Sequence, residues 1–362
     1  MKITLVAGAR PNFIKIAPLV AQIKLKQATG ENIHFRLVHT GQHYDDAMSG
    51  QFFKELEIPA PDINLNCGGG SQAEQTAQIM VAFEKDLLQH PTDLVVVVGD
   101  VTSTMACTIT AKKLQTQVAH VEAGIRSFDM RMPEEINRMV TDSIADIFFT
   151  TTPEAGELLM KQGKKAEQIH FVGNVMIDTL LKFQPQFTPP RLYQENKLKK
   201  GSYWMLTLHR PSNVDEAKEL SQLLQFIGEQ AGDAPVIFPL HPRTQKNLRV
   251  DKLPDNLLLT APLGYLEFNY LIQNALGVLT DSGGITEEAS VLNIPCITLR
   301  ENTERPETIA LGTNVLAGRK PELIQNYMQQ IQAGKWKSGQ IPEKWDGRAA
   351  ERIVDVLLQM DL

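Results

Sequence analysis

Short apolar runs alternate with longer amphipathic stretches along the whole chain. In the first half the runs are "ITLVA" (3–7), "FRLVH" (35–39), "LVVVV" (94–98), "VAHVE" (118–122) and "IFFTT" (147–151). They are rich in β-branched residues and apolar at successive rather than alternate positions. That is the pattern of strands buried on both faces, and each run is followed by a stretch of helical length. The expected result is a parallel sheet covered by helices on both sides, a doubly wound α/β layer. Around "QFTPPRLYQENKLKKGS" (186–202) the chain turns polar and Pro-containing. The alternation then restarts with "WMLTLH" (204–209), "VIFPLH" (236–241), "LLLTA" (257–261), "GVLTD" (277–281) and "PCITL" (295–299). Two domains of one architecture are therefore expected, at 1–175 and 176–345, with a last helical segment at 346–362. Ligands of open parallel sheets sit outside the carboxyl ends of the strands, so two such domains would face each other across a cleft lined by strand ends.

Length agrees with this division, because 362 residues exceed the roughly 250–300 at which single cores stop growing. Hydrophobic residues at 43% and charged residues at 22% are ordinary globular values and argue against a disordered or fibrous chain. The net charge is −6 and the one short cationic block is "KLKK" (197–200), so no nucleic-acid partner is expected and an anionic ligand must be met by local cations. Cys67, Cys107 and Cys296 are odd in number and lack metal-ligand spacing, which predicts reduced thiols, a cytoplasmic setting and no metal site. No apolar run reaches the roughly 18 residues of a membrane span, so no membrane partner is expected. "MKITLVAGARP" reads as a first strand rather than a signal segment.

Candidate chemistry gathers where the strands end. "GARPNFIKIAPL" (8–19) follows the first strand and opens a helix, with Pro11 in its first turn and Arg10 and Lys15 on its rim. Open N–H groups beside an arginine suit a diphosphate, and solvated cations on a plain turn are the competing reading. The turn is not GxGxxG, so no dinucleotide cofactor is indicated. "TDSGGITEEASVL" (280–292) puts Ser282, Gly283 and Gly284 between a strand and a helix, with Glu287 and Glu288 expected in its first turn. Glycines there let phosphate oxygens reach the helix N–H groups, and Glu288 is placed to accept both hydroxyls of a ribose. The alternative is a plain helix start whose acids favour the dipole.

"VVVGDVTST" (96–104) ends a wholly apolar strand at Asp100, which is either a helix N-cap or a carboxylate held for proton transfer. Glu122 ends the next strand, and Glu134 and Glu135 open the helix after Pro133, where acids are also ordinary. His39, Gln42 and His43 end the second strand, while His209-Arg210 and His241 end strands of the second half. A histidine there can donate to a leaving phosphate or can be structural. "GGGSQAEQ" (68–75) reads as a loop feeding a Ser71–Glu74 capping box.

Taken together, "GARPNFIKIAPL", "HTGQHYDDAM", "GDVTST", "HVEAGIRS", "MPEEINR", "LHRPSNVD", "HPRT", "TDSGGITEEA" and "TERPE" resemble the non-hydrolysing UDP-N-acetylglucosamine 2-epimerase family over residues 3 to about 317. The resemblance implies two Rossmann-like domains of the glycosyltransferase-B type, a homodimer, and a C-terminal helix crossing back to the first domain. It implies a UDP-sugar as substrate and no cofactor: UDP leaves by anti elimination, a 2-acetamidoglucal stays bound, and UDP adds back after reprotonation on the other face.

By the same resemblance Asp100, Glu122 and Glu134 are the catalytic carboxylates, and His209 lies near the leaving phosphate. Arg10, Lys15, Ser282, Gly283, Gly284, Glu288 and Arg305 hold UDP. Gln42, His43, Arg126, Arg131, Arg210 and His241 are candidate sugar or second-site contacts. "SFDMRMPEE" (127–135) is similar to the branch acting on UDP-2,3-diacetamido-2,3-dideoxy-glucuronate, whose sugar carboxylate Arg126 or Arg131 would meet. A hydrolysing epimerase, a glycosyltransferase and an inactive nucleotide-sugar-binding protein are the remaining alternatives.

Overall fold

The apolar runs form the strands of two separate parallel sheets. The structure is a computed structural model that describes residues 1–41, 52–240, 242–248 and 253–360. Gln42, His43 and His241 lie outside the described residues, as does the Arg10 side chain. One compact unit comprises Met1–Lys182 with Glu343–Leu362, and the other comprises Phe183–Pro342.

The first unit holds β1 (Lys2–Ala7), β2 (His34–His39), β3 (Ile63–Asn64), β4 (Leu94–Val98), β5 (Gln117–Val121), β6 (Ile147–Thr150) and β7 (Ile169–Phe171), in the order β3-β2-β1-β4-β5-β6-β7. The second holds β8 (Trp204–Thr207), β9 (Val236–Pro239), β10 (Leu257–Thr260), β11 (Gly277–Thr280), β12 (Cys296–Thr298) and β13 (Asn314–Leu316), in the order β10-β9-β8-β11-β12-β13. Every pairing is parallel. In each sheet the direction of winding reverses once, between β1 and β4 and between β8 and β11, and that reversal opens a crevice at the strand ends. Both halves are thus Rossmann-like.

β3, β7 and β13 were not among the runs read from the sequence. They are two, three and three residues long, and each lies at the edge of its sheet. An edge strand needs one hydrogen-bonding neighbour and little burial, so it carries almost no apolar signature. The central strands do: all five residues of β4 are buried, and Trp204, Leu206 and Phe238 pack with Leu220, Leu224 and Ile227 in the second core.

The helices that accompany these strands include α1 (Arg10–Ala28), α2 (Thr102–Lys113), α3 (Pro133–Ile144), α4 (Gly283–Val291) and α5 (Ala349–Leu358). The C-terminal α5 belongs to the first unit and packs on α1. Its first N–H groups, on Ala349 and Ala350, donate to the Asp178 carboxylate at 3.0 and 2.7 Å. This is a helix cap supplied from 171 residues away. Trp345 lies just before it, fully buried, with its indole N–H on the Thr151 carbonyl at 3.1 Å.

Burial pushes the Asp178 carboxyl up to about 6, despite the two backbone N–H groups that favour its ionised form. Between its unfolded value near 3.9 and this value the native protein holds the proton more tightly than the unfolded chain, so this contribution to stability weakens as pH rises through that window. Asp178→Asn cannot titrate. Urea melts of the two proteins at pH 4 to 7 should show the native protein losing up to roughly 3 kcal/mol relative to the variant over that range. A pH-independent difference would refute the assignment.

Candidate active site

At the crevice of the first sheet the turn after β1 is tied to the end of β4 by one side chain. Asn12 Oδ1 accepts from the N–H groups of Gly8 and Ala9 at 3.1 and 3.0 Å, and its Nδ2 donates to the Val98 carbonyl at 2.9 Å. Two N–H groups of the turn, just ahead of the helix, thus already have an acceptor.

One turn further along α1, Lys15 forms a buried ion pair with Glu122. Lys15 and Glu122 are 6% exposed each, so the pair is largely withdrawn from water. Between them the chain must be glycine: Gly99 has φ +66°, and a Cβ there would lie 2.7 Å from Lys15 Nζ. Glu122 itself has φ 75°, a left-handed conformation that costs a non-glycine residue about 1–3 kcal/mol and recurs at functional sites. It is held there by its own N–H and that of Ala123, both donating to the Phe149 carbonyl.

Asp100 is not the cap of α2. The N-cap position is Val101, and the Asp100 carboxylate is instead ion-paired with Arg138 from the middle of α3. Arg138 is 2% exposed and also binds Glu135 at 2.6 Å. Glu135 in turn accepts from the N–H groups of Ser127 and Phe128 at 2.9 and 3.0 Å, which folds the 125–132 loop onto α3. Burial acts to raise the Glu135 carboxyl, but these donors and Arg138 hold it below the usual range. Of the two adjacent acids, Glu135 is therefore a structural anchor. Glu134 is half-buried and makes no ion pair or hydrogen bond among the described residues.

Behind these carboxylates lies a second buried cluster. Asp142 on α3 meets His120 Nδ1 at 2.6 Å, Arg126 Nη1 at 2.6 Å and the Gly124 N–H at 3.1 Å. Burial would raise the Asp142 carboxyl, and His120 and Arg126 hold it low. Arg126 is 7% exposed and also donates to the Ile125 carbonyl and Gln162, while its buried Nε has no hydrogen-bond partner among the described residues. Arg131 differs, with a side chain 88% exposed and paired to Asp129 at 2.8 Å.

The second sheet repeats the arrangement at its own crevice. Asp281, fully buried at the end of β11, accepts from the N–H groups of His209 and Arg210, from Asn213 Nδ2, and faces His209 Nδ1 at 2.7 Å. Burial raises the Asp281 carboxyl, but His209, Asn213 and Arg210 together hold it below its ordinary value. The His209 ring, 42% exposed, is thus oriented from behind by Asp281.

Next to it, α4 begins at Gly283 with Ser282 at the N-cap position making no side-chain cap bond. Glu287 and Glu288 do not lie in the first turn of α4, where the sequence pattern put them; they sit one turn deeper and are buried, so the helix dipole does not account for them. Glu287 binds Arg305 at 2.5 Å and Glu288 accepts from the Tyr265 hydroxyl at 3.0 Å. Glu304, paired with Arg300 at 2.7 Å and with Arg210 at 3.5 Å, lies beside Gly283.

The family model described as UDP-N-acetylglucosamine 2-epimerase matches residues 25–358. The chain belongs to this family. It is 40% identical to the UDP-N-acetylglucosamine 2-epimerase of Methanocaldococcus jannaschii over 99% of both chains. It is 39% identical to the UDP-2,3-diacetamido-2,3-dideoxy-D-glucuronate 2-epimerase of Pseudomonas aeruginosa, over 99% of this chain and all of that one. The solved structure of the M. jannaschii enzyme, in complex with UDP-GlcNAc and UDP, matches with a TM-score of 0.87 over 99% of both chains at 39% identity. The fold is accordingly of the glycosyltransferase-B type, and the protein is an epimerase.

In this epimerase the residues that sequence reasoning overlooked are the partners of those it found. Arg138, Asp142, Asp281 and Tyr265 each position a candidate side chain and Asn12 ties the turn after β1 to the end of β4, and none stands out by local pattern, because the contact that gives it meaning comes from elsewhere in the chain. Only Arg138 left a trace, as the cation that ends "EEINR" (134–138).

Asp281→Ala leaves the His209 and Arg210 N–H groups and Asn213 without their buried acceptor. It should destabilise the second unit by about 2–4 kcal/mol at pH 7 in denaturant melts. Because the native carboxyl is held low, this stabilisation is present above the unfolded value near 3.9 and is lost as pH falls through the native one. The two proteins should therefore converge in acid, and a difference that persists undiminished there would contradict the account.

Proposed function

We propose that this epimerase interconverts UDP-GlcNAc and UDP-ManNAc by anti elimination of UDP to a 2-acetamidoglucal and re-addition. The observation that carries the reading is the pair of carboxylates at the ends of β4 and β5, each held beside a cation: Asp100 with Arg138 and Glu122 with Lys15. Inversion at carbon 2 removes a proton that no neighbouring ring carbonyl acidifies. The C1–O bond to UDP must therefore break ahead of the C2–H bond, and positive charge builds on the ring. Fixed anionic groups stabilise that charge, and cations and helix N–H groups stabilise the departing diphosphate.

In this reading Asp100, Glu122 and Glu134 are the catalytic carboxylates, two faces of the ring needing separate proton-transfer groups. His209, oriented by Asp281, donates toward the leaving phosphate. Ser282, Gly283 and Gly284 at the uncapped start of α4 receive the diphosphate with Arg10, Lys15 and Arg305, and Glu288, steadied by Tyr265, accepts the ribose hydroxyls. Gln42, His43, Arg210 and His241 remain candidates for further sugar or second-site contacts. The same proposal has the enzyme in the cytoplasm, in keeping with its three buried free cysteines, and as a homodimer. Phe128, Ile136 and Met139, apolar and 76%, 44% and 42% exposed, support the second of these.

A second reading, a UDP-diacetamido-glucuronate as substrate, draws on the 39% identity to the P. aeruginosa enzyme. The buried pairing of Arg126 with Asp142 leaves Arg131 as the cation available to a sugar carboxylate. Turnover of UDP-GlcNAc in deuterated water should give UDP-ManNAc with deuterium at carbon 2. Asp100→Asn, Glu122→Gln and Glu134→Gln should each lower kcat by about 10²–10⁴-fold. Retention of the original proton through turnover would sink the elimination mechanism, and a faster rate with the diacetamido-uronate would transfer the proposal to that sugar.

A further inference from the structure

His120 lies at the centre of the first unit, fully buried on β5 two residues before Glu122. Its Nδ1 is 2.6 Å from Asp142 Oδ1 and its Nε2 is 2.8 Å from the carbonyl oxygen of Gly99. A carbonyl can only accept, so Nε2 must carry a proton. Burial acts to raise the Asp142 carboxyl, but the charges beside it hold it low, so it accepts at Oδ1 as it does at Oδ2 from Arg126 Nη1 and the Gly124 N–H, and Nδ1 must carry a proton as well. A neutral imidazole has one donor and one acceptor, and both contacts are satisfied only by the doubly protonated ring.

What this ring holds is the turn that presents Asp100. Gly99 is grasped twice by β5: its N–H donates to the Val121 carbonyl at 3.0 Å, and its carbonyl accepts from His120. Asp100 follows directly, with its backbone carbonyl taken by Asn137 Nδ2 at 2.9 Å and its carboxylate by Arg138. Gly99 has the left-handed backbone that glycine adopts freely, and these two bonds fix it in place.

We propose that His120 is a positioning residue for the epimerisation, donating from both ring nitrogens to Asp142 and to the Gly99 carbonyl and so fixing Asp100 relative to Glu122. The inference rests on the reading of Asp100 and Glu122 as proton-transfer groups, but the state of the ring can be measured without any activity. In the full-length protein labelled with 15N-histidine, the resonances lost in His120→Gln identify the ring, and at pH 7 both of its nitrogens should be protonated. One unprotonated nitrogen overturns the proposal.

Two variants then separate positioning from simple support of the fold. Gln places its amide nitrogen near the position of Nε2 and keeps the donor to Gly99, whereas Asn places it near Nδ1 and keeps only the contact with Asp142. Each removes half of the network, so both should lose similar stability. The carboxyl 13C resonance of Asp100, assigned with Asp100→Asn, should move in His120→Asn and stay in His120→Gln. For kcat, His120→Asn should fall on the order of 100-fold and His120→Gln by under tenfold, with KM for UDP-GlcNAc within about threefold. Asp100→Asn added to His120→Asn should cost little beyond Asp100→Asn alone, because both act through one carboxylate. An unmoved Asp100 resonance, equal kcat losses in the two variants, or losses that multiply overturn the positioning role. Failure of the wild-type enzyme to exchange carbon 2 would instead sink the proposed reaction while leaving both resonance tests readable.

Discussion

A carboxylate taken out of water needs a cation or several N–H donors beside it, and much of the first unit is arranged to meet that requirement at the ends of β4 and β5. Glu122 has Lys15, Asp100 and Glu135 share Arg138, and Asp142 has Arg126 with His120. All but the Glu135–Arg138 pair, which lies within α3, join different elements, so meeting the charges also fixes how α1 and α3 sit against the sheet. Removing one partner of such a pair strands the other, at about 3–5 kcal/mol. The site and the fold are therefore stabilised by the same contacts, and a variant that disables one weakens the other.

The two sheets reach a similar solution with different residues. In each, the reversal of strand order leaves a crevice at which one strand end presents an acid and its neighbour presents a partner. The acid in the first unit is Glu122, paired with a lysine from the helix after β1. In the second it is Asp281, which serves as the buried backing of His209 and of the turn after β8. One crevice thus presents carboxylates and the other presents a histidine, arginines and an uncapped helix start.

Much of the fold was legible in the chain. The ten long apolar runs became the inner strands and one edge strand, β10, because an all-apolar run of β-branched residues has no better place than a parallel sheet. The Ser71–Glu74 capping box formed as its local spacing requires, with both reciprocal bonds present. The short strands at the other edges were not legible, since a two- or three-residue strand is defined by its neighbour's hydrogen bonds and not by its own residues. Nor was the placement of Glu287 and Glu288, because α4 begins at Gly283 and so leaves both acids beyond its first turn.

The sequence by itself determined the types of chemistry available and the strand ends at which they appear: acids after β4 and β5, a lysine one turn into α1, a histidine after β8. Those follow from periodicity and chain order, which are local. Only the tertiary structure decided which charge meets which. Asp100 turned from a possible cap into the partner of a residue 38 positions away, and Arg126 from a candidate ligand contact into the partner of Asp142. Glu135, not Glu134, became the anchor of its loop, although the two are neighbours with the same side chain. Pairing of buried charges is a property of distance through space, and the chain carries no local record of it.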